Sequence, residues 1–256
     1  MRRAWRVTAY WLTAYRRTWR ASVFSDFLSP LLFLAGMGFA LGSLVDAEGA
    51  GGLGGVSYAA FVAPGVLAAQ AMQTAVGETT FSVMGAIKWN RQYHAMLAAP
   101  LSPGDVVRGH LLFVLLRVTT TSAIFLVVAA ALGTLRSPAA LLALPVAVLT
   151  GMAFAGPVFA VAARSETDQP FHLLFRFVVT PLFLFSGTFF PISQLPEVLQ
   201  WVARATPLWH GVAACRSLAL GTAQVLPVLG HVAYLLAFVA LGAALAHRSL
   251  RARVVV

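Results

Sequence analysis

Charged side chains are scarce in this sequence: only 10% of its 256 residues are Asp, Glu, Lys or Arg, while 59% are hydrophobic. Soluble domains carry about 25% charged residues, so an ordinary soluble fold is excluded. Apolar runs long enough to cross a bilayer, which needs about 20 residues, recur along the chain. The composition predicts an all-α integral membrane protein with a single domain over residues 1–256.

Cysteine and lysine are nearly absent. The one cysteine, Cys215, excludes an internal disulfide and a multi-cysteine metal site. The one lysine, Lys88, follows Ala86 and Ile87 rather than glycine, so the phosphate-binding pattern G-x-x-x-x-G-K-[ST] is missing. We therefore expect no cofactor on this chain. If the protein is driven by ATP, then ATP and Mg bind to a separate polypeptide.

Catalytic and metal-binding patterns are also missing. The six histidines form neither H-E-x-x-H nor any i, i+4 pair, and G-x-S-x-G does not occur. Glu166 and Asp168 form an acidic pair, but a solvated loop explains two carboxylates at that spacing better than a metal site does. We expect no catalytic residue and no metal. A lipid-modifying membrane enzyme and a passive channel or scaffold remain alternatives to a transporter.

The basic residues lie at the ends of apolar runs, which explains the net charge of +10 without a nucleic-acid partner. Fourteen of the 18 Lys and Arg residues fall in segments that six spans would place on one side. Since basic loops stay in the cytoplasm, we expect both termini in the cytoplasm. We expect the protein itself in a bacterial cytoplasmic membrane. The predicted spans cover residues 24–45, 57–84, 106–133, 139–163, 170–190 and 225–246.

The first 22 residues predict an amphipathic helix that lies in the membrane interface. At 100° per residue, an aromatic and aliphatic face that includes Trp11 and Tyr15 lies opposite a face of arginines. Such a helix binds the anionic inner surface of the membrane. It serves either as a topology anchor or as a contact for a partner.

The polar segment 85–105 predicts a short helix with one aromatic and aliphatic face, ended by Pro100. A helix of this kind can dock into a groove of a partner protein, or it can rest on lipid. The loop that contains Glu166 and Asp168 is a second, smaller candidate contact. The residues of the two predicted contacts are Lys88, Trp89, Arg91, Gln92, Tyr93, Met96, Leu97, Pro100, Glu166 and Asp168.

Glu78 and Arg117 are ionisable residues placed well inside predicted spans. Such residues are costly in lipid and are usually paired or in contact with water. Their spans are consecutive and antiparallel, so a buried ion pair is one interpretation. The other is that Glu78 extends to the inner headgroup region.

Residues 191–221 predict short external or re-entrant helices between the fifth and sixth spans, because prolines and glycines interrupt the apolar pattern. The order FSG, FFP and QLP (Phe185 to Pro196), PLWH (Pro207 to His210), then Arg216 and Gly221 resembles the closing signature of type-2 ABC export permeases. The signature residues are Gly187, Phe190, Pro191, Leu195, Pro196, Pro207, His210, Arg216 and Gly221.

This resemblance implies a permease subunit for an amphiphilic cargo: a glycolipid, lipo-oligosaccharide, polysaccharide or hydrophobic drug. It implies two copies of an ATP-binding subunit, docked on a coupling helix in segment 85–105, and a second permease copy, identical or paralogous. Membrane lipids are expected contacts and nucleic acid is not. Four small residues of the first span are candidates for close approach between the two permease copies: Gly36, Gly38, Ala40 and Gly42.

Overall fold

The computed structural model describes residues 2–20, 28, 31–43 and 55–254, and the regular structure in these ranges is entirely helical. The α-helices are α1 (Arg2–Tyr15), α2 (Tyr58–Thr79), α3 (Phe81–Lys88), α4 (Gln92–Ala98), α5 (Pro103–Ala131), α6 (Ala143–Arg164), α7 (Gln169–Leu174), α8 (Thr180–Phe185), α9 (Glu197–Arg204), α10 (Pro207–Leu220) and α11 (Val225–Val254). Two π-helical segments, Leu34–Leu41 and Phe175–Val179, and two 3-10 helices, Pro138–Leu142 and Ile192–Gln194, complete them.

Four helical runs in the described ranges are long and apolar enough to cross a membrane: Tyr58–Lys88, Pro103–Ala131, Pro138–Arg164 and Val225–Val254. The run Gln169–Phe185, where the fifth span was predicted, is apolar but shorter. The first predicted span, 24–45, lies partly outside the described residues, although 31–43 within it are helical. Six spans therefore remain a prediction, and the all-helical fold is confirmed for the described part.

Two helices continue beyond the predicted spans. Residues 85–88, expected in the loop, belong to α3, which continues the second span after a break in the helix at Thr80. The last helix continues past the predicted end at residue 246 to Val254. The extension of the last helix carries Arg248, Arg251 and Arg253 beyond the apolar run, where the sequence pattern loses its signal.

Three capping residues fix the start of α5. The Ser102 side chain accepts a hydrogen bond from the Asp105 backbone N–H at 3.2 Å, and Asp105 Oδ2 accepts one from the Ser102 N–H at 3.1 Å. Pro103 occupies the first turn, where its missing N–H costs nothing. This reciprocal cap fixes where the polar loop ends and the span begins.

Helix α6 packs against both α2 and α11, and small residues permit these contacts. A Cβ on Gly151 of α6 would lie 2.7 Å from the backbone oxygen of Ala71 in α2. Farther along α6, Gly156 meets the backbone of Gly242 in α11. Close backbone approach of this kind is how helices pack in lipid, where burial of apolar surface gives little drive.

Helix α1 packs on α5 through a glycine. A Cβ on Gly109 would lie 2.5 Å from the Val7 Cβ, and Thr8 Oγ1 donates a hydrogen bond of 2.9 Å to the Gly109 oxygen. The exposed residues of this segment include Arg3, Arg6, Arg16, Arg17 and Arg20, and Trp5 is 54% exposed. On the opposite face Val7 is buried and Trp11 and Tyr15 are half-buried, so part of this face lies on protein.

The two ends of the bundle differ in the residues that meet there. Lys88, Glu166 and Arg253 meet at one end, which we call the basic end. Segment 186–221 lies at the other, which we call the hairpin end, and its Gly221 packs beside Ser137. Gly38 also lies near the hairpin end, where a Cβ would come 3.2 Å from the Ala59 Cβ. The close approach that Gly38 permits is thus within this chain.

Candidate functional site

A chain of hydrogen bonds joins helix α4 at the basic end to the interior of the bundle. The Tyr93 hydroxyl lies 2.9 Å from His110 Nδ1, and His110 Nε2 lies 3.0 Å from the backbone oxygen of Glu78. Because a carbonyl only accepts, the neutral His110 ring carries its hydrogen on Nε2, and Tyr93 donates to Nδ1. Burial raises the pKa of Tyr93 well above its usual value, so the hydroxyl stays protonated to donate.

The same network continues into an ion pair. Arg117 Nε lies 2.9 Å from Glu78 Oε1, and Arg117 Nη1 donates to the Tyr15 hydroxyl at 2.6 Å. The Tyr15 ring lies 4.5 Å from the guanidinium carbon, a cation–π distance. The two intramembrane charges singled out in the sequence are therefore paired, and helix α1 supplies the third partner. Four elements meet at this point: α4, α5, the end of α2, and α1.

Helix α4 turns its aromatic and aliphatic face inward, which corrects the expected orientation. Tyr93 is 0% exposed, and Met96 and Leu97 pack against the core while Gln92 is half-buried. The sequence pattern identified an apolar face, but the protein's own body covers it. The surface left for a partner at this point is formed by Trp89, Arg91, His94 and Pro100, with Trp89 62% exposed.

A second polar cluster ties the two predicted contact loops together. Lys88 Nζ donates to the backbone oxygen of Glu166, and the Glu166 carboxylate pairs with Arg253 near the end of α11. The hydrogen bond from Arg253, with its charge, holds the pKa of Glu166 below its usual value. Asp168 is exposed and lies 3.6 Å from His172. Across the described ranges, no group of three or more His, Cys, Asp or Glu residues has a geometry for a metal.

A basic cleft of about 480 Å³ opens beside this cluster. Its walls are Ile87, Lys88, Arg91, His94 and Arg253. Arg91 adopts a left-handed backbone conformation, with φ of 49°, where the chain turns from α3 into α4. The cleft presents cations toward an acidic surface or anionic group.

At the hairpin end, the predicted signature residues shape the turns. Gly187 has a φ of 80° and Gly221 a φ of 75°, which is the conformation that favours glycine. Pro207 occupies the first turn of α10, after the Thr206 cap. Phe190, Pro191 and Leu195 are half-buried, and Pro196 directly precedes α9. Between residues 187 and 207 the chain therefore forms short helices separated by turns.

Arg216 holds this hairpin to α2. Its Nε donates to the Phe61 oxygen at 3.0 Å, and its Nη2 donates to the oxygens of Gly187 and Thr188 at 2.8 and 3.1 Å. The guanidinium also lies 3.8 Å over the Phe61 ring. One side chain thus satisfies three backbone carbonyls from two segments, as the fixed fork of an arginine allows.

His210 joins the hairpin to α11. Its Nε2 donates to the Arg204 oxygen at 3.0 Å, and its Nδ1 lies 2.8 Å from Nδ1 of His231. Burial, then the charge of His231, lowers the pKa of His210, so the ring is neutral at pH 7. Its Nδ1 is therefore the acceptor, and His231 donates. Tyr234 stacks on His210 with the ring centres 3.8 Å apart.

Two further cavities lie at the hairpin end. One, of about 210 Å³, separates the run Gln169–Phe185 from α9 and is lined mainly by apolar side chains. The other, of about 250 Å³, lies between segment 186–193 and α10 and includes Arg204, Trp209 and Arg216. Both have Ser186 in their walls.

Several residues of these networks were missed by sequence reasoning. Tyr15 was placed only on a lipid-facing aromatic face, and His110 was noted only as a histidine without a motif. A histidine near the start of an apolar span is itself a signal, because polar groups in spans usually have partners. Arg253 and Ser186 carried no recognisable signal, since a terminal arginine and a serine beside glycine are common.

Comparison with known proteins places this architecture among transporters. Residues 4–220 match the family described as ABC-2 type transporter. Nodulation protein J of Rhizobium leguminosarum bv. trifolii is 36% identical over 250 residues, covering 95% of this chain and 93% of the relative. Nodulation protein J of Rhizobium meliloti is 34% identical over 219 residues, covering 83% and 82%. The inner membrane transport permease YadH of Escherichia coli is 25% identical over 211 residues, covering 79% and 77%.

Proposed function

This chain belongs to the ABC-2 type transporter family, and we propose that it is the permease subunit of a bacterial ATP-driven exporter. In this proposal a separate ATP-binding subunit, present in two copies, drives two permease copies in the cytoplasmic membrane. The cargo is an amphiphile such as a glycolipid, lipo-oligosaccharide, polysaccharide or hydrophobic drug. The absence of a P-loop from the sequence supports a separate ATP-binding subunit. The name of the YadH relative, an inner membrane transport permease, supports a location in the cytoplasmic membrane.

One observation carries the proposal: a chain of hydrogen bonds connects the exposed surface at the basic end to the ion pair inside the bundle. Trp89 and His94 are exposed beside the basic cleft. His94 lies on the exposed side of α4. The buried side of α4 is connected through Tyr93 and His110 to the ion pair of Glu78 and Arg117. A push on the surface of α4 is thereby transmitted by packed, hydrogen-bonded contacts to α1, α2 and α5.

The basic end is the cytoplasmic one in this proposal. Basic loops are retained in the cytoplasm, and the exposed arginines of α1 favour the anionic inner leaflet. The basic cleft then faces the ATP-binding subunit and suits an acidic segment of that partner. Trp89 supplies the aromatic anchor that interface centres typically contain.

The decisive experiment is assembly and turnover of the complex. The chain is co-expressed with any P-loop protein that a neighbouring gene encodes, purified in lipid nanodiscs, and assayed for association and ATP hydrolysis. We expect a stable complex that hydrolyses ATP. Trp89→Ala is expected to weaken association by about tenfold or more, as loss of an aromatic anchor does.

The matched control is Trp201→Ala. Trp201 is 64% exposed, close to the exposure of Trp89, but lies at the hairpin end. Its substitution should leave association unchanged. The proposal fails if no ATP-binding subunit associates with the wild-type chain, and the docking surface is wrong if both tryptophan variants behave alike.

A further inference from the structure

The two cavities at the hairpin end differ in chemistry and share one wall. The first is apolar: Phe177 and Phe185 face it from one side, and Leu199 and Val202 of α9 from the other. The second contains the guanidinium of Arg216, the hydroxyl-bearing Ser193 and the indole of Trp209. Each is smaller than the about 300–1,000 Å³ typical of ligand pockets, while the two together fall within that range.

The shared wall contains an unpaired polar atom. Ser186 is 1% exposed, and among the described residues its Oγ has no hydrogen-bond partner. Buried hydroxyls are normally paired because an unpaired one costs free energy. Ser186 also lies at the point where the apolar cavity meets the polar one. A ligand that passes from one cavity to the other would supply the missing partner.

Arg216 presents the second unused group. Its Nε and Nη2 are engaged by three backbone carbonyls. Nη1 has no hydrogen-bond partner among the described residues, and the side chain borders the polar cavity. Because the other nitrogens are fixed, Nη1 is a positioned donor for hydroxyl or phosphate oxygens. Trp209 adds an aromatic surface of the kind that packs on the apolar face of a sugar ring.

We propose that the two cavities form one binding site for a saccharide amphiphile, with its acyl chain between Val178 and Val202 and its hydroxylated head beside Arg216 and Trp209. Ser186 contacts the junction of head and chain. This inference deepens the proposed function, on which it rests, by assigning the cargo class to a site at the hairpin end.

A second copy of this chain is the competing occupant of the apolar cavity. Apolar residues around it, such as Phe177 and Phe185, are 63% and 43% exposed. The continuity with a polar cavity favours the amphiphile. A second protein copy that covered only the apolar cavity would leave the Ser186 hydroxyl without a partner.

The direct test is site-resolved photocrosslinking. Two dodecyl maltoside probes are used, one with a diazirine at the chain end and one with a diazirine on the sugar, with the full-length chain in nanodiscs. We expect the chain-end probe to label residues 177–185 and 199–206 and the sugar probe to label residues 193 and 209–216. Labelling of both segments equally by both probes overturns the proposal, as does labelling confined to α11.

Ser186→Ala gives a signature that a purely structural residue would not. Removing an unpaired buried hydroxyl should raise the melting temperature, while the loss of a ligand contact should lower probe labelling by about threefold to tenfold. Thr188→Val is the matched control, because Thr188 Oγ1 is also buried and unpaired among the described residues but borders neither cavity. It should raise the melting temperature and leave labelling unchanged. Equal labelling in both variants contradicts the site.

Val202→Trp fills the apolar cavity, and Val198→Trp places the same side chain on the same helix outside it. Val198 is 73% exposed and lines neither cavity. We expect Val202→Trp alone to lower chain-end labelling by about tenfold, since a blocked apolar subsite removes the burial that drives binding. A Val202→Cys variant that forms disulfide-linked dimers in the membrane would overturn the proposal in favour of a second copy.

Failure of this inference differs from failure of the proposed function. If the complex hydrolyses ATP and exports the sugar amphiphile equally well with Val202→Trp, the site is wrong and the exporter stands. If no ATP-binding subunit associates but both probes label as expected, the exporter is wrong and the site stands as a lipid-binding site.

Discussion

The basic end and the hairpin end hold their buried polar groups in different ways. At the basic end, side chains bond mainly to other side chains: Tyr93 to His110, and Glu78 to Arg117, which also holds Tyr15. At the hairpin end, Arg216 bonds only to backbone carbonyls, and the His210 ring bonds to one carbonyl and to the His231 side chain. The first arrangement joins separate helices at their side chains, and the second fixes the path of the chain itself.

This difference assigns different mechanical roles to the ends. Side-chain pairs between helices can separate and re-form while each helix stays intact, so the basic end suits a movement that is passed between elements. Carbonyls held by one arginine lose their partners together if it is removed, so the hairpin end suits a fixed shape. A transporter that is pushed at one end and binds cargo at the other would use both properties.

The largest effect is expected where one side chain holds several carbonyls. Arg216→Lys keeps the charge but not the planar fork, so at least two of the three carbonyls lose their donor. We expect the free energy of unfolding to fall by about 3–5 kcal/mol, measured by titration with sodium dodecyl sulfate in mixed micelles. Arg136→Lys is the control, because Arg136 is an exposed arginine at the same end. Equal stability of the two variants would remove the distinction between the ends.

The next effect concerns the ion pair at the basic end. Glu78→Leu and Arg117→Leu should each lower the free energy of unfolding by about 2 kcal/mol, less than for a fully buried pair because the Glu78 side chain is 24% exposed. The double variant should be less destabilised than either single one, because two leucines leave no uncompensated charge in the membrane. Additive losses in the double-mutant cycle would show that the pair is not coupled.

Much of this arrangement could be predicted from local residue patterns. Ser102, Pro103 and Asp105 specify a helix start by themselves, and Gly187 and Gly221 mark turns, since these signals depend only on neighbours in the chain. Glu78 and Arg117 stood out because charge in an apolar span requires a partner. In each case the physical demand is visible within a few residues.

The remaining features depend on tertiary contacts between segments that are distant in the sequence. The apolar face of α4 was visible in the sequence, but whether Tyr93 points to a partner or to its own chain depends on where α5 lies. Arg216 bonds to backbone oxygens, and any residue type supplies a carbonyl, so no sequence pattern identifies its partners. The contact between Glu166 and Arg253 likewise joins positions far apart in the chain.

A smaller effect is expected from the link between α4 and the interior. Tyr93→Phe removes the donor to His110 Nδ1 and keeps the packed ring, so the free energy of unfolding should fall by about 1 kcal/mol. The complex should still assemble, because Trp89 and the basic cleft are unchanged, but stimulation of ATP hydrolysis by cargo should drop. Tyr10→Phe is the control, since Tyr10 is 41% exposed. Unchanged stimulation in Tyr93→Phe would break the proposed link.

The smallest effect is the pH dependence of the contact between Glu166 and Arg253. The hydrogen bond and charge of Arg253 hold the pKa of Glu166 below its usual value of 4.5. A carboxylate with a lowered pKa stabilises the fold fully above its usual pKa, and this contribution is lost as the pH falls through the lowered value. The stability difference between the wild type and Glu166→Gln should therefore be constant from pH 7 to about pH 5. At lower pH the difference should disappear.

Salt tests the same contact independently. Because Glu166 and its partners lie at the surface, a high salt concentration should shrink the stability difference between the wild type and Glu166→Gln at pH 7. Arg253→Gln added to Glu166→Gln should cost nothing further, since the two groups act as one pair. If Glu166→Gln is instead as stable as the wild type at pH 7, then Glu166 stabilises this end through the Lys88 contact to its backbone oxygen, which the variant keeps, rather than through its charge. The basic end would then share the backbone-anchored design of the hairpin end.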